Sequence, residues 1–391
     1  MEQKLVALSG NEAVAYAFKQ ARPHVAAAFP ITPQTEMMHK YAEFVANGES
    51  TTEMILVESE HSAMSAAVGS AAAGARTFTA TSSAGFALMW EVVYIAASLR
   101  LPICMALVNR ALSGNINIHC DHSDSMGGRD AGWIHLFSEN AQESYDNALM
   151  SWRIAEHMDV RLPVMVNYDG FIISHTADAL NILPDEMAWK FIGPYKAKYA
   201  LLDVENPITV GPLDLTDYYF EHKTSQLAAY DKVPGVVQKV SDEFAALTGR
   251  QYAFAEEYRL DDAEIVMVML GSSAGTAKDV IDEYRAKGVK AGLLKIRMFR
   301  PFPNEYVAKV LAGRKAVAVL DRSASFGGFG GPLFTEVRSA MYGLKVPVHN
   351  YIYGLGGRDF DLKQVAVVLD NLQKVAAGGA IKDINLLGVR L

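Results

Sequence analysis

Cysteine is nearly missing: among 391 residues only Cys104 and Cys120 occur, with no C-x-x-C spacing. A four-thiolate iron–sulfur cluster or a structural zinc site needs more soft ligands than that, so the chain alone can build neither. Clusters of Lys and Arg are also lacking. With 36 basic against 44 acidic residues, a formal net charge of -8 and a pI near 5.7, there is no basic footprint for a nucleic-acid backbone. No stretch reaches the roughly 18 uninterrupted apolar residues of a membrane helix. Residues 1–10 lack the charged-then-apolar pattern of a secretory signal, and a cytoplasmic protein is expected.

What is present is hydrophobic residue, half of the composition, in a chain long enough for about two to three domains. Strand-like runs at 25–29, 54–57, 77–81, 103–108 and 164–168 alternate with helix-like runs, and each ends in a polar or Gly-rich break. That rhythm predicts a parallel sheet covered on both faces. Asn11 is the expected cap of a helix over 12–20, and Ser144 or Asp146 the expected opening of one that continues through Trp152 to His157. The Ala-, Gly- and Ser-rich stretch 65–75 reads as a crowded helix, either core or subunit interface. From about 182 the alternation gives way to a connecting region with a turn at Val233-Pro234-Gly235. It resumes with strands at 265–270, 291–296 and 316–320 and helices at 276–287 and 304–311. The expected architecture is α/β: two doubly wound parallel-sheet domains, 1–240 (connecting region included) and 241–391.

Three polar groups fall at the ends of strand-like segments, where open α/β sheets bind ligands. Thr32, flanked by Pro30 and Pro33, has a backbone fixed by proline, so its hydroxyl either donates to a substrate carboxylate or carbonyl or is satisfied within the turn. Glu58 and Glu60 follow the second run. Burial of such a carboxylate raises its pKa and suits it to share a proton with a ring nitrogen, whereas a glutamate opening a helix is also stabilised by the dipole. Arg110, after the run 103–108, can clamp a carboxylate in bidentate fashion or pair with Asp121 or Asp124. The sequence His119-Cys120-Asp121-His122-Ser123-Asp124 resembles a metal cluster superficially, but neighbours on a loop rarely point at one ion, so a hydrogen-bonded active-site loop is expected and no metal. The turns 271–275 and 327–332 are rich in glycine and could receive a phosphate, although neither matches a phosphate-binding fingerprint.

Six motifs occur in one order: Phe29-Pro-Ile-Thr-Pro33, Val57-Glu-Ser-Glu-His61, Thr79-Ala-Thr-Ser-Ser-Ala-Gly-Phe86, Asn109-Arg-Ala-Leu112, Cys120-Asp-His-Ser-Asp124 and Tyr168-Asp-Gly-Phe171. Through them the chain resembles the alpha subunit of 2-oxoacid:ferredoxin oxidoreductases, closest to the pyruvate type, over essentially its whole length. The resemblance implies a thiamine diphosphate pyrimidine-binding domain followed by a transketolase C-terminal-like domain, the latter matched at 295–303 and 319–323. It places Glu60 against the aminopyrimidine, with Pro30 and Ile31 as further cofactor contacts, and gives Thr32 and Arg110 to the substrate's carboxylate. It implies CoA-dependent oxidative decarboxylation of pyruvate to acetyl-CoA and CO2. Electrons would pass to ferredoxin through [4Fe-4S] clusters on beta, gamma and delta-type partner subunits. Phe29 stands where Tyr is commoner in the family. The Gly-Asp-Gly motif with its following Asn pair, which holds the diphosphate and Mg²⁺, is absent, so a partner is expected to supply that half. A branched-chain, aromatic or 2-oxoglutarate substrate, NAD as final acceptor, and a non-catalytic scaffolding subunit are the alternatives.

Overall fold

The computed structural model describes residues 2–112 and 114–390. Its larger sheet runs, in spatial order, Met298–Arg300, Ile134–Phe137, Val164–Asp169, Cys104–Asn109, Thr77–Thr81, Val25–Ala28 and Glu53–Leu56. The last six are mutually parallel. Period-two alternation divides each central strand between two cores. Cys104, Ala106 and Val108 face one, shared with helices Gly10–Gln20, Thr35–Ala46 and Ala141–Glu156. Met105 and Leu107 face the other, shared with Glu60–Ala72 and Trp90–Ser98. The doubly wound arrangement thus follows from strands that are apolar on both sides.

The second sheet runs Ile384–Leu386, Val348–Ile352, Ala316–Asp321, Ile265–Met269, Ala291–Ile296 and Ala255–Tyr258, only the last antiparallel. It too is packed on both faces, by Asn304–Leu311 and Pro332–Ala340 on one and Ser273–Ala286 and Leu362–Ala376 on the other. The strand Met298–Arg300 departs from the expected division at 240/241: it lies beyond that point in sequence yet adds an antiparallel edge to the first sheet, beside Ile134–Phe137. A further two-stranded ribbon pairs Lys4–Ser9 with Ala177–Ile182.

Local signals were misplaced in three positions. Ser9, not Asn11, caps the first helix, in a capping box with Glu12; the Asn11 amide instead donates to the Pro33 carbonyl and accepts from the Tyr168 hydroxyl. Asn140 caps Ala141–Glu156, ahead of both expected positions. Val233-Pro234-Gly235 is no turn but the first turn of helix Val233–Thr248, where proline lacks only an amide that has no intrahelical acceptor. No helix among the described residues is long and apolar enough to cross a membrane.

Candidate active site

Every candidate side chain lies just past the carboxyl end of a parallel strand: Thr32 after Val25–Ala28, Glu60 after Glu53–Leu56, and Arg110 after Cys104–Asn109. In a doubly wound sheet that edge is the ligand crevice. Hydrogen bonds tie the strand ends together. Arg110 Nη1 donates to the Thr32 carbonyl at 2.8 Å and Arg110 Nε to the Asn117 carbonyl at 3.3 Å. The expected alternative of a salt bridge is not what forms: Asp124 accepts the Arg110 backbone N–H at 3.0 Å, while no carboxylate among the described residues pairs with the guanidinium. Burial holds the Arg110 pKa below that of a free arginine, with Asp124 opposing. A buried guanidinium bonded only to carbonyls has charge left to neutralise an anion. The Thr32 hydroxyl is exposed and has no hydrogen-bond partner among the described residues. Pro30 is exposed and Ile31 half-buried on the same turn.

The two glutamates separate cleanly. Glu58 is solvent-exposed and accepts from the Ser62 hydroxyl at 2.6 Å, which lowers its pKa. Glu60 opens the helix Glu60–Ala72 behind its cap Ser59, is buried to 6% exposure, and has no hydrogen bond or ion pair among the described residues. Its carboxylate faces the start of helix Ser83–Leu88. A Cβ on Gly85 would lie 2.6 Å from both Glu60 Oε1 and Thr81 Oγ1, so only glycine lets the carboxylate sit there. Thr81 and Ser82 add buried hydroxyls without partners among the described residues. The small-residue helix is half core: Ala63, Met64, Ala67 and Ala71 are buried, whereas Ser65 and Gly69 form an open face.

Asp124 joins the two sides, as a hydrogen-bonded member of the loop 119–124 and not as an ion-pair partner of Arg110. Its Oδ2 accepts from the backbone of Ser83 and Arg110, both at 3.0 Å, and its Oδ1 from Asn109 Nδ2 at 3.0 Å and Ser125 N at 2.7 Å. It is fully buried, and burial outweighs these donors to push its pKa up to about 6. The start of the helix packed on Glu60 and the start of the Arg110 loop are thereby held by one carboxylate.

Cys120 and His122 do converge, with Asp169, to within 4.8 Å of one another, which loop adjacency alone argued against. The Asp169 carboxylate is already occupied, however: it accepts from His122 Nε2 at 2.7 Å, Arg322 Nη1 at 2.9 Å, and both Ser272 N–H and hydroxyl. These charges hold its pKa low despite burial. At both glycine-rich turns a carboxylate of the chain already takes amides in or just past the turn. Asp169 takes Ser272 N in one, and Asp321 takes Leu333 N at 2.7 Å and Phe334 N at 3.1 Å in the other.

Known proteins match along the same lines. A family profile described as pyruvate flavodoxin/ferredoxin oxidoreductase, thiamine diphosphate-binding, matches residues 16–242, and one described as pyruvate:ferredoxin oxidoreductase core domain II matches 263–365. The chain is 58% identical to the pyruvate synthase subunit PorA of Thermotoga maritima over 90% of its own length and 91% of that relative's. It is 44% identical to the ketoisovalerate oxidoreductase subunit VorA of Pyrococcus abyssi over 96% and 95%. Among solved structures, a 2-oxoglutarate:ferredoxin oxidoreductase from Magnetococcus marinus superposes with a TM-score of 0.75 at 19% identity, covering 95% of this chain and 65% of that one. A split-gene transketolase superposes at 0.55 and 12% identity. These last two speak for the fold. The match at both profiles and along nearly the full length of its relatives means that the chain belongs to the pyruvate flavodoxin/ferredoxin oxidoreductase family.

Proposed function

We propose that this chain is the pyrimidine-side subunit of a thiamine-diphosphate-dependent complex that oxidatively decarboxylates pyruvate, with coenzyme A as acyl acceptor and ferredoxin as electron acceptor. The observation that carries the proposal is the pairing, on one sheet edge, of a buried glutamate without a partner and a buried arginine without a counter-ion among the described residues. The site fits the cofactor on its own terms. Among the described residues Glu60 lacks a hydrogen-bond partner, and the buried hydroxyls of Thr81, which meets the same Gly85 as Glu60, and of Ser82 are unsatisfied, a state that is costly unless a polar ligand completes it.

When bound, thiamine diphosphate supplies the carbon nucleophile and electron sink for decarboxylating a 2-oxoacid. Glu60 would hold and return a proton at its carboxylate for the aminopyrimidine, and Pro30 and Ile31 would form part of the wall that holds it. The Arg110 guanidinium and Thr32 hydroxyl orient the substrate carboxylate, which places the neighbouring carbonyl carbon without further ordering. The two cysteines are buried and free, so iron–sulfur clusters belong to beta, gamma and delta-type partners, one of which supplies the diphosphate and Mg²⁺ half-site.

The 58% identity to the Thermotoga subunit supports pyruvate. A ketoisovalerate-type substrate is the second reading, because VorA and PorA of Pyrococcus abyssi are each 44% identical to this chain. Glu60→Gln keeps the side chain's shape and removes its proton chemistry; in the assembled complex kcat is expected to fall about a hundredfold or more, with Glu58→Gln nearly neutral. Turnover on a panel of 2-oxoacids decides the substrate. Equal effects of the two substitutions would refute the assignment of Glu60.

A further inference from the structure

Among the described residues, no side chain of the second sheet unit hydrogen-bonds Glu60, Thr32 or Arg110. Two of its segments nevertheless grip the loop that begins at Arg110, and a third holds the neighbouring strand end at Asp169. Arg322, just past Ala316–Asp321, accepts the His122 backbone N–H at its carbonyl (2.8 Å) and donates from Nη1 to Asp169 Oδ2 at 2.9 Å. Ser272 donates to the same oxygen. The turn Leu355–Gly357 takes Asn117 Nδ2 on the Gly356 carbonyl at 2.9 Å and gives its own amides to Asp121 Oδ2 and the Cys120 carbonyl. A Cβ on Gly356 would sit 2.4 Å from Asn117 Nδ2, and one on Gly357 2.4 Å from His119 Cβ, so the approach is as close as backbone allows.

Both lines of contact end at Arg110. Asn117, held by Gly356, accepts Arg110 Nε on its own carbonyl. Asp169 pairs in register with Asn109 across the sheet, and the Gly170 amide donates to the Asn109 carbonyl at 3.0 Å, on the peptide that leads into Arg110. Because Asp169 is ionised and accepts only, His122 Nε2 carries the proton in their 2.7 Å bond, which fixes the ring two residues before Asp124. His122, Asp169 and Arg322 are all buried. A buried charged network of this kind tolerates one arrangement, since removal of any member leaves the others unpaired.

We propose that the second unit sets the position of the Arg110 guanidinium through this Arg322–Asp169–His122 relay, so that Arg322 is a positioning residue for the reaction. The inference rests on Arg110 facing the substrate, as proposed above. The test uses the complex of this chain with its partner subunits, carrying Arg322→Met, Arg322→Lys or Ser272→Ala. Arg322→Met should raise KM for the 2-oxoacid about tenfold or more, change kcat less than about threefold and leave KM for coenzyme A unaltered, with part of the loss recovered by Arg322→Lys. Amide exchange measured on the same chain should quicken at Ala111 and at 119–123 and stay unchanged in the cores of both sheets. An unchanged KM in a folded Arg322→Met complex, or parallel loss of kcat, both KM values and thermal stability, would overturn the proposal. Where Arg322→Met does not assemble, Ser272→Ala, which removes one hydroxyl, decides by the same criteria with a smaller rise in KM. A wild-type complex inert toward every 2-oxoacid refutes the proposed function instead, and the exchange measurement then decides the relay alone.

Discussion

Asp124→Asn separates two opposing effects that the structure places on one carboxylate. Four N–H donors point at Asp124, yet burial holds its pKa at about 6 against an ordinary 3.8. A folded-state pKa above the unfolded one means the native state binds the proton more tightly, so the stability Asp124 contributes is fully present below about 4 and is lost as pH rises through about 6. Between pH 4.5 and 8 the titration removes about 2 kcal/mol from the wild type, at about 1.4 kcal/mol per pKa unit. Asparagine has no such loss. It does bring an extra N–H into a nest of donors, at about 1–3 kcal/mol for the bond forgone. The variant should therefore be the less stable protein at pH 4.5 and approach or pass the wild type at pH 8. Urea unfolding of the purified chain at both pH values measures this. Other buried acids, Asp321 included, bend both curves alike, so the difference isolates Asp124. A variant that loses more ground at pH 8 than at pH 4.5 would refute the reasoning, because the ionised carboxylate would then be the preferred form and the four donors would outweigh burial.

Arg110→Lys keeps a charge but cannot reach both the Thr32 and Asn117 carbonyls with a planar fork, so kcat/KM for the 2-oxoacid should drop about 10- to 100-fold while thermal unfolding hardly moves; a stability loss that accounts for the kinetic one would make Arg110 structural. Gly85→Ala drives a methyl to within 2.6 Å of Glu60 Oε1, so thiamine diphosphate should bind the complex about tenfold more weakly, read by calorimetric titration, for a fold cost of about 1–3 kcal/mol. Undiminished affinity would mean that the carboxylate has room to move and that Gly85 does not shape the site.

What the sequence made legible was local. Strands apolar on both faces, such as 104–109, announce a covered parallel sheet, and a polar residue just past such a strand lands in the crevice by geometry alone, which is why Thr32, Glu60 and Arg110 could be named. Ser9-Gly10-Asn11-Glu12 also spells a capping box, but Asn11 is an equally good cap by residue type, and only its tertiary bonds to Pro33 and Tyr168 take it out of that role. Contacts across long separations have no such signature. Asp169 and Arg322 are 153 positions apart, and nothing in the spacing of either marks the other. The choice between Glu58 and Glu60 likewise depends on which side of one backbone each projects from, and here the ordered motif carried more than periodicity did.

The edge strand Met298–Arg300 has a consequence for biosynthesis. A ribosome delivers the chain from its amino end, and domains ordinarily fold as they emerge. Here the first sheet stays open along Ile134–Phe137 until about 160 further residues have been made, because its seventh strand arrives only after Ala291–Ile296 of the other sheet. During that interval an apolar edge with unpaired amides is available to any other nascent strand. The late strand also ties the two halves together: Met298–Arg300 comes directly after Ala291–Ile296 of the second sheet, so the edge of the first sheet closes with a segment whose neighbour belongs to the other.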